Sequence, residues 1–553
     1  MAMKQRCNTG GDIWGCIKQV YSTIAECLTT HKTCAASADM PLPRRVLDVG
    51  KLNIYPRLVD SDGKVGKYIA LSHSWGGTAP LITTKASLTQ MKQGLPLESF
   101  PKTFRETLLV ARGLGIQYVW IDCLCLVQDD PVEWQTDSVK MADIYGNSYL
   151  TIAATLARNA HDGLFYNAAH DGAGPFEINP ALVNKLGNDC RLFASELPID
   201  GQSAGYYSTR SRRQEHGLAL HSRAWAHQEF FLASRVLQFG HELQWDCAQT
   251  FWCCSDFEGY GSYPVRIPDI NKGKFRKLKI TGRSARRKEQ ETDTKLGETQ
   301  AALGALWRQE AEVFSGKDIT HASDRLPALS GLAKRFLSSG FSAPYLAGIW
   351  LANVNRELCW RASVPALAVS SYISPSFSWT SISAPIEFFA SRQDVGFEDA
   401  PSWPADVIGE AMFKIVAADC QLAYGDPFGA VTGGFIRLSS QLLHGHHIEA
   451  DLKLERTFKR LVGRTKCGIM LGKRVYPVTL DFADARFRAH EELHCLLMFS
   501  NGELEHYMVL REIDGSQHLY NRIGWLSAII QHEGNGHEDP AMNEAKLKVV
   551  TIV

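Results

Sequence analysis

Tyr68-Ile69-Ala70-Leu71-Ser72-His73-Ser74-Trp75-Gly76-Gly77 is the stretch on which the fold turns. Its first five residues form an apolar run of strand length, and Trp75-Gly76-Gly77 bounds that run with a turn. Phe104, Leu108, Ala111 and Leu114 then recur at helical spacing behind Pro101, with Gly113 and Gly115 closing the segment. A second apolar run, Tyr118-Val119-Trp120-Ile121-Asp122, follows at once. Asp129 and Asp130 can cap a further helix that has Pro131 in its first turn, striped by Trp134, Met141 and Tyr145 as far as Gly146. Tyr149-Leu150-Thr151-Ile152-Ala153-Ala154 reads as a third strand. Short apolar strands alternating with helices predict a parallel sheet wound by right-handed crossovers. In such a sheet all strands point one way, so 72–77, 122–130 and 154–165 emerge together at the carboxyl edge, where α/β proteins bind ligands.

Outward from this core, Ile13, Ile17, Val20, Tyr21, Ile24 and Leu28 mark a first helix. The pattern weakens beyond Asn167 and returns at Ser222 to Glu229, a helix leading into strands at Val236 to Phe239 and Leu243 to Cys247. The tract from Lys272 to Asp293, basic then acidic, reads as a solvated loop. A helix is expected at Leu303 to Phe314, and Arg325 to Ala333 returns to regular structure. From about Val364 the spacing shortens, and His494 to Phe499, Tyr507 to Leu510 and Leu519 to Ile523 read as antiparallel strands.

With 553 residues, 45% of them hydrophobic, the chain can bury a large core. Lys plus Arg and Asp plus Glu both total 59, so no net field steers it toward nucleic acid or an anionic membrane, and small molecules or neutral partners fit better. Met1 to Gly11 lacks an apolar core for a signal peptide, and no stretch reaches the length of a membrane span, which predicts a soluble cytoplasmic protein. Fourteen cysteines are too sparse for a disulfide scaffold and are expected to be thiols.

Three ordered blocks of this sequence resemble the fungal HET (heterokaryon incompatibility) family. The first is Tyr68 to Gly77, and the second runs from Tyr118 through Asp122, Cys125, Gln128 and Trp134 to Tyr145. The third is Arg223-Ala-Trp225 with Gln228-Glu229, Arg235 and Trp245-Asp-Cys247. The resemblance extends to Cys27-Leu-Thr-Thr-His31-Lys-Thr-Cys34, to Asp324–Gly331 and to Phe377-Ser-Trp379. It implies a distantly TIR-like, flavodoxin-like parallel sheet with helical additions and a β-rich C-terminal region, and a role in non-self recognition and cell death in filamentous fungi. The expected organisation is a helical segment over 1–60, the HET domain over 61–255, a mostly helical region over 256–365 and a β-rich region over 366–553. Some TIR relatives cleave NAD using a glutamate on the helix after a middle strand. The corresponding helix here reads Trp134-Gln135-Thr136-Asp137 where HET sequences often show Trp-x-x-Glu, and the shorter carboxylate reaches about one bond less far, which tells against simple NAD cleavage; no cofactor is expected, and NAD enters only as a candidate substrate.

Asp122, at the end of a strand, can act as acid or base, or serve only to hold the backbone donors of its loop. His73 sits in the facing loop with an imidazole suited to neutral pH, or else satisfies loop carbonyls. Glu133 and Asp137 are four apart and share a helix side; Asp137 is the preferred candidate, and Glu133 reads as a charge near a helix N-terminus. His227 and Glu229 complete the catalytic candidates, with Arg223 and Arg235 as ion-pair partners or anion clamps. Ser72, Trp75, Cys125, Gln128, Trp134 and Trp225 are candidate substrate contacts. Cys125 beside His73 has the makings of a nucleophile, yet no third group orients it and a packed thiol is the alternative. Cys27, His31 and Cys34 offer three zinc ligands without an obvious fourth beyond Cys7 or Cys16, so helix-packing thiols are expected and no metal is assigned.

His490-Glu-Glu-Leu-His494 has the spacing of a zinc protease, but its second histidine opens an apolar strand and the two would not share a helix face. His444-Gly-His446-His447 reads as a polar loop. No phosphate-cradling loop and no nucleophile elbow occurs. Three functions stay open: incompatibility signalling with TIR-like NAD cleavage, acid/base catalysis on a small apolar molecule in secondary-metabolite biosynthesis, and a non-catalytic module that signals by homo-oligomeric assembly.

Overall fold

A computed structural model describes residues 13–165, 219–253, 292–388, 410–449, 467–529 and 546–553, with short breaks inside these ranges, and the two-residue strands Phe176–Glu177 and Phe193–Ala194. The charged tract expected as a loop over 272–293 lies almost wholly outside the described residues. The chain divides into two compact units, residues 1–280 and 281–553. The first is mixed α/β around a sheet with a parallel core; the second is β-rich.

The sheet of the first unit has eight strands: β1 (Arg45–Asp48), β2 (Arg57–Asp60), β3 (Tyr68–Ser72), β4 (Tyr118–Trp120), β5 (Leu150–Ala153), β6 (Arg235–Phe239), β7 (Leu243–Cys247) and β8 (Phe251–Cys253). Their order is β8-β7-β6-β5-β3-β4-β1-β2. β4, β3, β5 and β6 are mutually parallel, and the pairs outside them are antiparallel. The three strands expected from the sequence therefore lie side by side and point the same way. Every residue of β3, β5 and β6 is buried, as strands covered on both faces require. Along the chain the parallel strands fall in the spatial order second, first, third, fourth, so the winding changes direction between β3 and β5. A crevice forms outside the carboxyl ends at such a point.

Among the described residues, seven α-helices accompany this sheet: α1 (Ile13–Thr30), α2 (Leu88–Gln93), α3 (Lys102–Gly113), α4 (Asp122–Cys125), α5 (Pro131–Ser138), α6 (Met141–Asn147) and α7 (Ala224–Leu232). The apolar stripe of α3, Phe104, Leu108 and Ala111, is buried in the same core as β3 to β5. Two local corrections follow. β4 stops at Trp120, and Asp122 opens the one-turn helix α4 instead of closing a strand. The helix read as continuous from Pro131 to Gly146 is two helices, because Lys140 starts the second turn series afresh at Met141. β1 and β2, within the first 60 residues, join the sheet as an antiparallel edge.

The second unit opens with α8 (Thr292–Ser315), which contains the helix expected over Leu303 to Phe314, and α9 (Arg325–Ser338). A two-stranded ladder, β9 (Trp360–Ala362) with β10 (Ile386–Phe388), follows. The larger sheet comprises β11 (Glu410–Ala411), β12 (Lys414–Leu422), β13 (Val431–Glu449), β14 (Cys467–Leu471), β15 (Arg474–Leu480), β16 (Glu492–Ser500), β17 (Leu504–Asp514), β18 (Leu519–Ile529) and β19 (Lys546–Ile552). β16, β17, β18, β15, β14 and β13 pair in that order, and β13 pairs back onto β16, so the sheet closes on itself. Leu443, Ile469, Val478, Cys495, Val509 and Leu526, one from each of those six strands, pack into one apolar cluster. Closure leaves those strands without a free edge. His444, His446 and His447 lie inside β13, not in the loop expected for them. Among the described residues no helix is long and apolar enough to cross a membrane.

Candidate functional site

At the carboxyl ends of β3 and β4 the chain turns tightly enough to bring their side chains into contact. Gly76 has φ +70°, a left-handed conformation, and a Cβ there would lie 2.2 Å from Asn159 Cβ. Glycine thus allows the loop after β3 to rest on the loop after β5. That second loop is fixed to α3, with Leu164 N donating to Glu106 Oε2 (2.6 Å) and Gly163 N to Thr103 Oγ1 (3.0 Å). Two of the three loops are thereby held on a rigid helix.

Into this frame the sequence places Trp75 and Asp122. Trp75 Nε1 donates to Asp122 Oδ2 at 3.0 Å, and the Cys123 amide donates to Oδ1 at 2.7 Å. Asp122 keeps 22% of its side chain exposed. His73 lies behind it, 1% exposed, with Nδ1 3.7 Å from Asp122 Oδ1 and its ring edge-on to Phe104 at 5.0 Å. Burial pushes the imidazole below its usual range, Asp122 offsets this in part, and Arg223 adds to it. His73 is therefore neutral near pH 7 and its approach to Asp122, beyond hydrogen-bond range, is not an ion pair. His73 Nε2 is buried with no hydrogen-bond partner among the described residues.

Deeper in the site is Glu229, on α7. Ser72 Oγ donates to its Oε2, and the Arg223 Nη1 at the start of the same helix donates to the His73 carbonyl. Tyr145, whose hydroxyl donates to Leu71 O at 3.1 Å, lies beside the Glu229 carboxyl. Burial raises that carboxyl to about 7; Ser72, Arg223 and Tyr145 restrain the rise, and Asp122 adds to it. Tyr145 is itself pushed well above its ordinary range by burial and keeps its proton. A carboxyl balanced between two protonation states, beside a partly exposed carboxylate and a neutral imidazole, can take or give a proton at neutral pH.

The structure brings together Ser72, His73, Trp75, Asp122, Arg223 and Glu229 and separates the other candidates. Asp137 and Glu133 face the start of β1: Arg45 pairs with Glu133, Arg44 lies 3.5 Å from Glu133 and 3.9 Å from Asp137, and Lys140 Nζ donates to Asp137 at 3.0 Å. Glu133 also accepts from Val127 N at 2.9 Å, which anchors the loop after α4. His227 is two residues from Glu229 on α7, a spacing that sends the two side chains to different sides. Arg235 sits at the opening of β6, at the end opposite the crevice, with Nη1 3.3 Å from Tyr149 O and its guanidinium over the Tyr149 ring. Cys125 is buried away from His73 against Val119 and Ile121, and burial pushes its thiol up to about 12. Gln128 Nε2 spans Asp122 O (3.3 Å) and Leu126 O (3.1 Å), shaping the turn. Trp225 packs on the main core, and the Trp134 side chain lies outside the described residues. Tyr145 is the group missed from the sequence, where it stood only as part of an apolar stripe.

Three described clusters place potential metal-ligating atoms within 4.8 Å of one another: His73 with Asp122 and Cys123, His444 with Glu492 and His494, and Cys27 with His31, Cys34 and Cys247. In the first, Cys123 is fully buried and its thiol is pushed well above its usual range, chiefly by burial. In the second, His444 and Glu492 are exposed on the second unit's sheet, while His490 lies outside the described residues.

Residues 68–229 match the family model described as heterokaryon incompatibility protein (HET). The chain carries a HET domain. The matched span begins at the first residue of β3 and ends on Glu229, so the HET domain contains every member of the rim cluster. No curated protein and no solved structure matches the chain.

Proposed function

We propose that this HET-domain chain serves a heterokaryon-incompatibility type of function and that it acts through acid/base chemistry on a small molecule at the rim formed by Asp122, His73 and Glu229. The observation that carries this is the graded burial of the cluster. Asp122 is partly exposed and can meet a ligand, while Glu229, raised to about 7 by burial, lies behind it on Ser72 and Tyr145. Carboxyls held at such different depths divide the work of stabilising charge and moving a proton.

The glycosidic bond between nicotinamide and ribose in NAD is the first substrate to test. The second-first-third-fourth order of the parallel strands supports a flavodoxin-like, TIR-like assignment. The acid cannot come from the helix that supplies it in TIR relatives, because Glu133 and Asp137 are committed to Arg44, Arg45 and Lys140. Glu229 takes that part in our reading. Asp122 would stabilise positive charge developing on the ribose as nicotinamide leaves, and Glu229 would accept the proton of the attacking water. Purified protein incubated with NAD is expected to release nicotinamide. Asp122→Asn and Glu229→Gln should each lower the rate by about a hundredfold or more with the fold retained. Absence of release from the unaltered protein at high concentration removes the nucleotide-cleaving version. Full activity in both variants removes the rim as its seat.

A further inference from the structure

We propose that Cys27, His31, Cys34 and Cys247 form a structural zinc site that fastens the end of α1 to the β7–β8 hairpin. Cys27 lies in the last turns of α1, His31 and Cys34 follow that helix, and Cys247 is the final residue of β7. Their donor atoms all lie within 4.8 Å of one another. Two edges of the cluster are Cys34 Sγ to His31 Nδ1 at 3.5 Å and Cys247 Sγ to His31 Nδ1 at 3.4 Å. A tetrahedron with ordinary zinc–sulfur and zinc–nitrogen bonds has sulfur–nitrogen edges of about 3.5 Å. One imidazole nitrogen has a single lone pair and cannot accept from two thiols at once in good geometry; one cation between them resolves the crowding.

The surroundings prepare the ligands. Thr250 Oγ1 is 3.0 Å from His31 Nε2 and can accept a proton held there, which would leave Nδ1 as the coordinating atom. Thr250 N donates to Cys247 Sγ at 3.3 Å, as a backbone amide does to a metal-bound thiolate. Three sulfurs and one nitrogen in a closed, four-coordinate arrangement select zinc and leave no position for a reacting water. Cys247 pairs with Arg235 at the start of β6, so the site stands at the end of the sheet away from the rim and does not depend on the function proposed for it. It joins groups 216 residues apart.

Metal analysis of the full chain, purified without chelators, should give about one zinc per chain, released by a thiol-blocking mercurial. Cys247→Ser and His31→Asn should lower that content at least about tenfold, whereas Cys420→Ser, a free cysteine of the second unit, should leave it unchanged. If the ligand variants fail to fold, cobalt exchanged into the unaltered protein gives an independent answer. Intense visible absorption with a thiolate charge-transfer band supports the site; the weak spectrum of octahedral cobalt overturns it. Zinc well below one per chain, or unchanged in Cys247→Ser, overturns it equally.

Discussion

Two buried charge clusters, Arg522 with Asp481 in the second unit and the rim group in the first, are held differently. In the second unit, Arg522 on β18 is fully buried and every direction of its guanidinium is answered by structure: Asp481 Oδ2 at 3.0 Å from Nε, Leu358 O at 3.1 Å from Nη1, the Trp360 carbonyl at Nη2, and the Trp360 ring with its centroid 3.4 Å away. Glu357 accepts from Trp350 N at 2.5 Å, while its Oε1 is buried with no hydrogen-bond partner among the described residues and burial raises the carboxyl to about 8. In the first unit, His73, Asp122 and Glu229 lean on one another and on Ser72, with His73 Nε2 left over and Asp122 open to solvent. Charge tied to backbone carbonyls locks strands together. Charge tied to other side chains, with one member exposed, is available for chemistry. The difference follows from topology: a closed antiparallel sheet fills its interior with side chains, whereas a parallel sheet leaves its carboxyl edge to loops.

The largest test of that contrast is Arg522→Ala. It strands Asp481 without a partner and should cost about 3–5 kcal/mol in chemical denaturation. A cost below about 1 kcal/mol, that of an exposed pair, would erase the distinction. Next in size is the pH dependence of Glu229. Its folded pKa, about 7 against an ordinary 4.5, means the native state prefers the protonated form. This contribution is complete below about pH 4.5 and is lost as pH rises through 7, a change of roughly 3 kcal/mol. Stability curves of the native protein and Glu229→Gln should therefore diverge over that interval, and parallel curves would show the carboxyl to be solvated. Gly76→Ala should cost about 1–3 kcal/mol, since the new methyl meets Asn159 and the residue must keep a positive φ; an unchanged melting temperature would mean the two rim loops do not press together. Smallest is Trp75→Phe, which removes one hydrogen bond to Asp122 and should cost about 1 kcal/mol while altering the rate of any reaction at the rim far more.

Much of the first unit was legible because its strands are buried on both sides and so read as unbroken apolar runs: Tyr68–Ser72, Leu150–Ala153 and Leu243–Cys247 stand where the sequence puts them. β1 and β2 were not. They are short, antiparallel and carry Arg45, Asp48, Arg57 and Asp60, so no apolar period announces them. That omission had a second consequence. Without β1 there was no sign that Arg44 and Arg45 stand beside α5, and the carboxylates of Glu133 and Asp137 could be imagined facing Asp122. Likewise Ser72 and Glu229 are 157 residues apart, and Cys247 and His31 216 apart. Local spacing carries no information on which distant segments meet; only the assembled sheet does.

β13 gives the second unit a particular order of events. Successive stretches of this one strand pair with β12, β19, β16 and β14, and residues 436–442 wait for 546–552. On the ribosome those residues are made about a hundred positions before their partner, while the described strands of the first unit are complete by residue 253. A nascent chain thus carries a half-paired apolar spine through a long interval of synthesis, and this is the stage at which chaperone capture or aggregation would act.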